Sequence, residues 1–291
     1  MKIVVIGKGG QLAWEIGRLN SSENEIICLG RNEINLSCRS SVLNVLNSHS
    51  PRAVINAAAY TDVDLAETDK VNALSLNSVA VEILADVCDE LFIHLIHVST
   101  DFVFDGKKST PYLPEDSIKP LGVYGESKAE GEMKIRNLLP DNSCIVRTSW
   151  LYSTHGNNFV KTMLRLMKDK TKLSVISDQI GSPTYAKGLA MACLYAATNK
   201  ITGVHHWTDA GVASWYDFAV SIQEIAFEKK MLDTQIPIHP ISTCDYPTPA
   251  KRPSYSVLDK TSLAKDFSKI PSLHWRTQLK TMLNELNTLK K

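Results

Sequence analysis

The chain has 291 residues, with 32 Lys and Arg against 31 Asp and Glu, so its net charge is close to zero. That balance excludes a general binder of polyanions, and nucleic acid is not an expected partner. The hydrophobic fraction is an ordinary 44%, and no uninterrupted apolar run approaches the roughly 20 residues that cross a bilayer, so no membrane partner is expected.

The N-terminus, MKIVVIGKGG, runs straight into glycines without a cleavage-site pattern, so it reads as a first strand and not as a signal peptide. Lys2–Ile6 is a short β-branched run stopped by Gly7, and Gln11–Leu19 reads as a helix. Between them Gly7-Lys8-Gly9-Gly10-Gln11-Leu12-Ala13 fits G-x-x-G-x-x-[GA]. Such a turn lets backbone approach a pyrophosphate, and the helix start offers unpaired N–H groups. Gly7 and Gly10 are therefore candidate cofactor residues; a purely structural strand-to-helix turn is the alternative.

Glu25–Leu29 is the second strand, and Gly30-Arg31 follows it. NAD-selective sites place an acid there to hold the ribose hydroxyls. No carboxylate is present, and an Arg31 guanidinium suits a 2′-phosphate, so NADPH is expected, with NADH possible; a solvated surface charge is the other reading. Ala53–Asn56 is a third strand, Val71–Glu90 a long helix with Leu76, Val79, Ala80, Ile83, Leu84 and Val87 on one side, and Phe92–Ser99 a fourth strand.

Tyr124–Leu138 is a helix stopped before Pro140, and Cys144–Thr148 a fifth strand. Strands alternating with helices imply a parallel sheet covered on both faces, the Rossmann-like doubly wound α/β fold, which binds ligands beyond the carboxyl ends of its strands. Residues 1–150 form the expected dinucleotide-binding part. Residues 151–291 are mainly a smaller C-terminal substrate lobe with a soft boundary and chain crossings. Its expected helices are Asn158–Lys168, Tyr185–Thr198, Ser214–Lys229, capped by Ser214, and Ser272–Leu289, with a short strand at Val204–Trp207. Tyr246–Pro253 (YPTPAKRP) has no regular structure.

The chemistry centres on Tyr124-Gly125-Glu126-Ser127-Lys128. An i, i+4 spacing places Tyr124 and Lys128 on one helix face. A nearby ammonium lowers the pKa of a phenol, ordinarily near 10, and makes it a usable general acid or base. Ser99-Thr100 closes the fourth strand, so a substrate carbonyl would receive hydrogen bonds from Thr100 and Tyr124, while Lys128 also holds the nicotinamide ribose.

Other residues carry less. His94 and His97 have no third ligand at metal spacing and read as core histidines; His205 and His206, adjacent on a strand, face opposite ways. Asp62 and Asp64 shape a loop, with Asp64 able to order the site. Lys251-Arg252 is either a diphosphate clamp or an exposed charge pair, with the two readings even. The six scattered cysteines form no C-x-x-C, which points to reduced thiols and a cytoplasmic location.

Glycine turn, strand-end hydroxyl and Y-x-x-x-K together resemble the extended short-chain dehydrogenase/reductases. Within them, Asn56–Thr61 (NAAAYT) with Val63-Asp64, STDFVFDG at Ser99–Gly106, VYGESKAEGE at Val123–Glu132, RTSWLY at Arg147–Tyr152, GNNFVKTMLRL at Gly156–Leu166 and SDQIGSPT at Ser177–Thr184 are similar to the dTDP-4-dehydrorhamnose reductases. The resemblance runs from the first strand to the last helix. It implies NAD(P)H-dependent reduction of the 4-keto group of dTDP-4-dehydro-6-deoxy-L-mannose to dTDP-L-rhamnose, with a nucleotide sugar as the small-molecule partner. It implies that Gly10, Gln11 and Leu12 contact the pyrophosphate, Asn35 and Leu36 lie by the adenine, and Ala59, Tyr60 and Thr61 line the cofactor groove. It assigns Thr100, Asp101 and Trp150 to the sugar nucleotide, with Asn157 and Asn158 in reach, and proton donation to Tyr124.

The sequence departs from the family at two places. Many members carry an acid where Asn35 stands. Some hold a divalent metal between subunits through several glutamates; Glu15 matches one, but Lys187 stands where another acid would be. An ammonium opposes a cation, so no metal is expected, and the chain is a monomer or a homodimer. A related reductase or epimerase of the same fold is the alternative function. A non-catalytic subunit is a further one, against which the presence of both Tyr124 and Lys128 argues.

Overall fold

A computed structural model describes residues 1–289. Six strands form one parallel sheet: β1 (Lys2–Ile6), β2 (Glu25–Leu29), β3 (Ala53–Asn56), β4 (His94–Thr100), β5 (Ser143–Thr148) and β6 (Gly203–His206). They lie in the order β6-β5-β4-β3-β1-β2, every neighbouring pair parallel. The order reverses between β1 and β3, and a sheet of this kind opens its ligand crevice at that reversal.

Alternation along the strands builds two cores. Ile3, Val5, Ile55, Ile96 and Val146 face α1 (Gln11–Gly17) and the later helix Ala186–Asn199. Val4, Ile6, Val54, Leu95 and Ile145 face α2 (Arg39–His49), α3 (Ala80–Glu90) and α4 (Val123–Leu138). β4 begins two residues later than its apolar run suggests, because Phe92 is exposed in left-handed backbone (φ 55°) and ends the preceding turn.

The segment expected as one regular helix from Val71 is broken. Lys70–Leu74 is α-helical, Ser75–Val79 makes a π-turn, and α3 follows. The wider turn shifts the register, so Val79 is about half exposed, while Val81 and Ala85 are buried. By length and composition alone Lys70–Glu90 is long and apolar enough to cross a membrane. In the structure it is a core helix packed on α2 and α4, with half of its apolar window buried.

The C-terminal part has its own core. α5 (Phe159–Asp169), α7 (Trp215–Glu228) and α8 (Trp275–Thr288) enclose Tyr152, Val160, Met163, Tyr185, Phe218, Ile222, Leu279 and Leu283. Ser214 caps α7 in a reciprocal capping box with Asp217. Between α5 and α7 the chain returns to the sheet: α6 (Ala186–Asn199) covers it and β6 pairs with β5.

A buried ion pair ties α4 to the sheet. Arg147 of β5 donates from Nε to Glu132 Oε1 at 2.9 Å and from Nη2 to Oε2 at 2.7 Å, with both side chains fully buried. Nη1 donates to the Pro114 carbonyl, and the guanidinium lies over the Phe104 ring. Beside the C-terminal end of α1, Arg18 reaches both Glu15 and Glu285, and the Lys187 ammonium lies 2.6 Å from Glu285 Oε1.

Candidate active site

A cleft of about 1040 Å³ opens at the carboxyl ends of β1, β3 and β4. That is the upper end of the size that holds one small ligand. Its floor is the glycine turn. Gly7 (φ 113°) and Gly9 (φ 94°) occupy backbone that L side chains rarely adopt, and a Cβ on Gly7 would meet the Ala57 and Ala58 backbone at 2.8 Å. Gly10 donates to the Gly7 carbonyl and precedes α1 with no side-chain cap, so the first turn of α1 keeps its N–H groups for a ligand. These residues fit a dinucleotide diphosphate.

Beyond the carboxyl end of β2, Arg31, Asn35 and Leu36 line the cleft. The Asn35 side chain accepts from the Ser37 N–H and shapes the loop. Lys8, which sequence reasoning did not single out, lines the same end. Its ammonium meets Glu33 Oε1 at 2.6 Å, and Glu33 Oε2 accepts the Gly30 N–H at 2.9 Å. Glu33, which is not among the residues lining the cleft, thus ties Lys8 to the Gly30 turn.

Ala59 and Thr61 line the groove, whereas Tyr60 turns away from it. Asn77, on the π-turn, accepts the Tyr60 N–H and donates to its carbonyl, which fixes the peptide. The Tyr60 ring then packs with Ala66, Ala73 and Val123, and its hydroxyl donates to Asp69. Asn158 is likewise absent from the cleft: it caps α5 and donates to Gln11 and to the Ser153 carbonyl. Gln11 and Leu12 line the floor, and Asn157 the wall.

Thr100, Asp101, Tyr124 and Lys128 meet at the centre. α4 packs closely on the turn Asp101–Val103 after β4 because Gly125 has no Cβ; one there would lie 2.2 Å from the Phe102 carbonyl oxygen. Gly125→Ala is expected to cost about 1–3 kcal/mol, read as a lower midpoint of thermal unfolding. Thr100 donates to Asp101 Oδ1 at 3.0 Å and accepts the Phe102 N–H. Burial raises the Asp101 carboxyl to about 6.

The electrostatics differ from the expected tuning. Lys128 Nζ points inward, donating to the Val98 carbonyl at 2.7 Å and lying 3.1 Å from His97 Nε2. Burial lowers the Lys128 ammonium to about 8. Burial likewise pushes the Tyr124 phenol up to about 12, against a smaller lowering by the Thr100 hydroxyl. Desolvation outweighs the Thr100 hydrogen bond, so the phenol stays protonated at neutral pH, the state a proton donor requires.

At the far end Trp150 lies in left-handed backbone (φ 48°) and stacks on Trp215, ring centroids 3.6 Å apart. Both indoles line the cleft. Trp215 opens α7, some 65 positions along the chain, and no local pattern links it to Trp150. Arg252 lines the cleft and forms a two-pronged ion pair with Asp64; Lys251 is exposed and outside the wall. Asp62 caps the short helix Val63–Ala66.

The sequence matches the family described as RmlD substrate binding domain over residues 1–288. It is 41% identical over 289 residues to a dTDP-4-dehydrorhamnose reductase of Aggregatibacter actinomycetemcomitans, covering 97% of this chain and 98% of that one. The structure superposes on a dTDP-4-dehydrorhamnose reductase of Clostridium acetobutylicum with a TM-score of 0.92 at 36% identity, covering 99% and 100% of the two chains. It superposes on the Bacillus anthracis dTDP-4-dehydrorhamnose reductase, solved in complex with NADP, with a TM-score of 0.91 at 31% identity, covering 98% and 99%. On its sequence over nearly its whole length, and on its fold, this chain belongs to the dTDP-4-dehydrorhamnose reductase family.

Proposed function

We propose that the chain reduces the 4-keto group of dTDP-4-dehydrorhamnose to give dTDP-L-rhamnose, with NADPH as reductant. The observation that carries this reading is one continuous cleft. A glycine-floored end carries Arg31 and Lys8, Tyr124 and Thr100 sit at the centre, and two indoles form the far wall. NADPH supplies the hydride that carbon 4 of the sugar receives.

The protein's own groups do the rest. Tyr124 gives its proton to the ketone oxygen as negative charge develops there. Thr100 stabilises that oxygen by exchanging its bond to Asp101 for one to the substrate. Trp150, Trp215, Asn157 and Asp101 hold the sugar nucleotide against the C-terminal lobe. Lys128 supports Tyr124 from one helical turn below and binds the ribose. Arg31 and Lys8 receive the 2′-phosphate, with Glu33 moderating Lys8.

The test follows NADPH and NADH absorbance separately on dTDP-4-dehydrorhamnose made in situ from dTDP-glucose. NADPH loss matched by dTDP-L-rhamnose is expected, and no oxidation of either cofactor would sink the reading. Arg31→Ala is expected to raise the NADPH KM about tenfold, the worth of one charge-assisted phosphate contact, with little change for NADH.

A further inference from the structure

α1 shows two faces to the rest of the chain. Leu12, Ala13 and Ile16 pack into the sheet, so the helical period carries Gln11, Trp14 and Glu15 round to another side. There they meet Ser153–Asn158, the segment that joins Tyr152 to α5. Ser153 Oγ donates to Glu15 Oε1 at 2.7 Å and accepts the His155 N–H. Asn158 Nδ2 donates to Gln11 Oε1, and a Cβ on Gly156 would meet Gln11 Cγ at 3.1 Å. The His155 ring stacks on Trp14, with centroids 5.1 Å apart and planes within 7°. Its Nε2 lies 3.0 Å from the Gly9 carbonyl oxygen. A carbonyl only accepts, so Nε2 carries the proton and donates.

Gly9 is the part of the cofactor floor that packing holds least. Its φ is 94°, and a Cβ built on it would meet nothing within 4 Å. The Gly9 carbonyl and the Gly10 N–H belong to one planar peptide unit. The Gly10 N–H donates to the Gly7 carbonyl at 2.9 Å, and His155 takes the other end. With both polar groups engaged, the unit cannot turn without breaking a hydrogen bond. Gln11 and Leu12 come next, at the helix start that suits a diphosphate.

We infer that His155 is a positioning residue for the cofactor diphosphate. It reaches from the C-terminal part to hold the Gly9–Gly10 peptide in its binding orientation, although it is not among the residues lining the cleft. A turn fixed beforehand loses less conformational freedom when the ligand arrives, and so binds more tightly. The segment that carries His155 begins three positions after Trp150, so the sugar wall and the diphosphate floor share one support.

The inference rests on the dinucleotide reading of the cleft and is tested on the whole chain by binding alone. His155→Phe keeps a ring on Trp14 and removes the donor; His155→Gln keeps a donor and removes the ring. Fluorescence titration should find NADPH and NADH both about fivefold weaker in His155→Phe, the worth of one net hydrogen bond, and within about twofold of wild type in His155→Gln. Adenosine 2′-monophosphate has the 2′-phosphate but no diphosphate, and calorimetry should find it bound alike by wild type and His155→Phe. Unchanged dinucleotide affinity in His155→Phe, or equal losses in the two variants, would overturn the inference. So would a parallel loss of adenosine 2′-monophosphate, the mark of a general loosening. ¹⁵N NMR of the histidine-labelled wild type in slightly alkaline buffer should show His155 protonated on Nε2; a proton on Nδ1 overturns the inference whether or not either variant folds. A wild type that binds neither dinucleotide would sink the reading of the cleft, and this role of His155 with it.

Discussion

Tyr124→Phe is expected to lower turnover by about a thousandfold, within the range that a positioned general acid supplies. The substitution removes one oxygen and little else. The ring keeps its edge-on contact with Phe102 at 5.6 Å, and the main-chain carbonyl of Tyr124 still accepts from Ser127. The glycine floor and Arg31 are untouched, so NADPH affinity should stay within about twofold of wild type by fluorescence titration, because no cofactor contact beyond the phenol is altered. The phenol is protonated at neutral pH, with burial holding it near 12. The loss should therefore appear in kcat at every pH between 6 and 9, not as a displaced pH profile. A variant that retained a tenth of wild-type turnover would remove Tyr124 from the acid's role.

The largest expected loss of stability comes from Arg147→Met. Glu132 would remain fully buried with its two-pronged partner gone. Breaking one side of a buried pair costs about 3–5 kcal/mol. Chemical denaturation should show it as a lower midpoint, and the double variant Arg147→Met with Glu132→Leu should recover much of the loss. Burial alone would raise the Glu132 carboxyl, but Arg147 outweighs it and holds the group below its ordinary 4.5. A folded value below the unfolded one means that the contribution is present above about 4.5 and is lost as the pH falls through the folded value. The gap between wild type and Arg147→Met should therefore narrow on acidification. A gap that widens in acid would mean that Glu132 is not the charged partner.

The sheet was legible because its strands are buried on both faces and read as short β-branched runs closed by turn residues, as in Lys2–Ile6 and Ala53–Asn56. α7 was legible from its cap. α2 was not: RSSVLNVLNSH has few apolar positions and no capping side chain, and it is held by packing Val42 and Leu46 on the sheet. Local spacing brought out Tyr124 and Lys128 because both stand on one helix.

The remaining site residues are set by long-range contacts that carry no local signature. His97 meets Lys128 from β4, Trp215 meets Trp150 from α7, and Arg252 meets Asp64 across 188 positions. Tyr60 went the other way. Its position after β3 places it at the groove, but Asn77 turns its peptide, and that depends on a π-turn the apolar pattern hides.

The return of the chain to the sheet bears on how this architecture can be cut and recombined. A fragment ending near residue 150 would expose the hydrogen-bonding edge of β5 from Cys144 to Arg147 and uncover the face beneath Leu189 and Cys193. A bare inner strand invites pairing with other chains. Exchanging the C-terminal part between relatives would thus need three junctions, one near residue 150, one before Ala186 and one after His206. A single crossover would sever a strand from its neighbour.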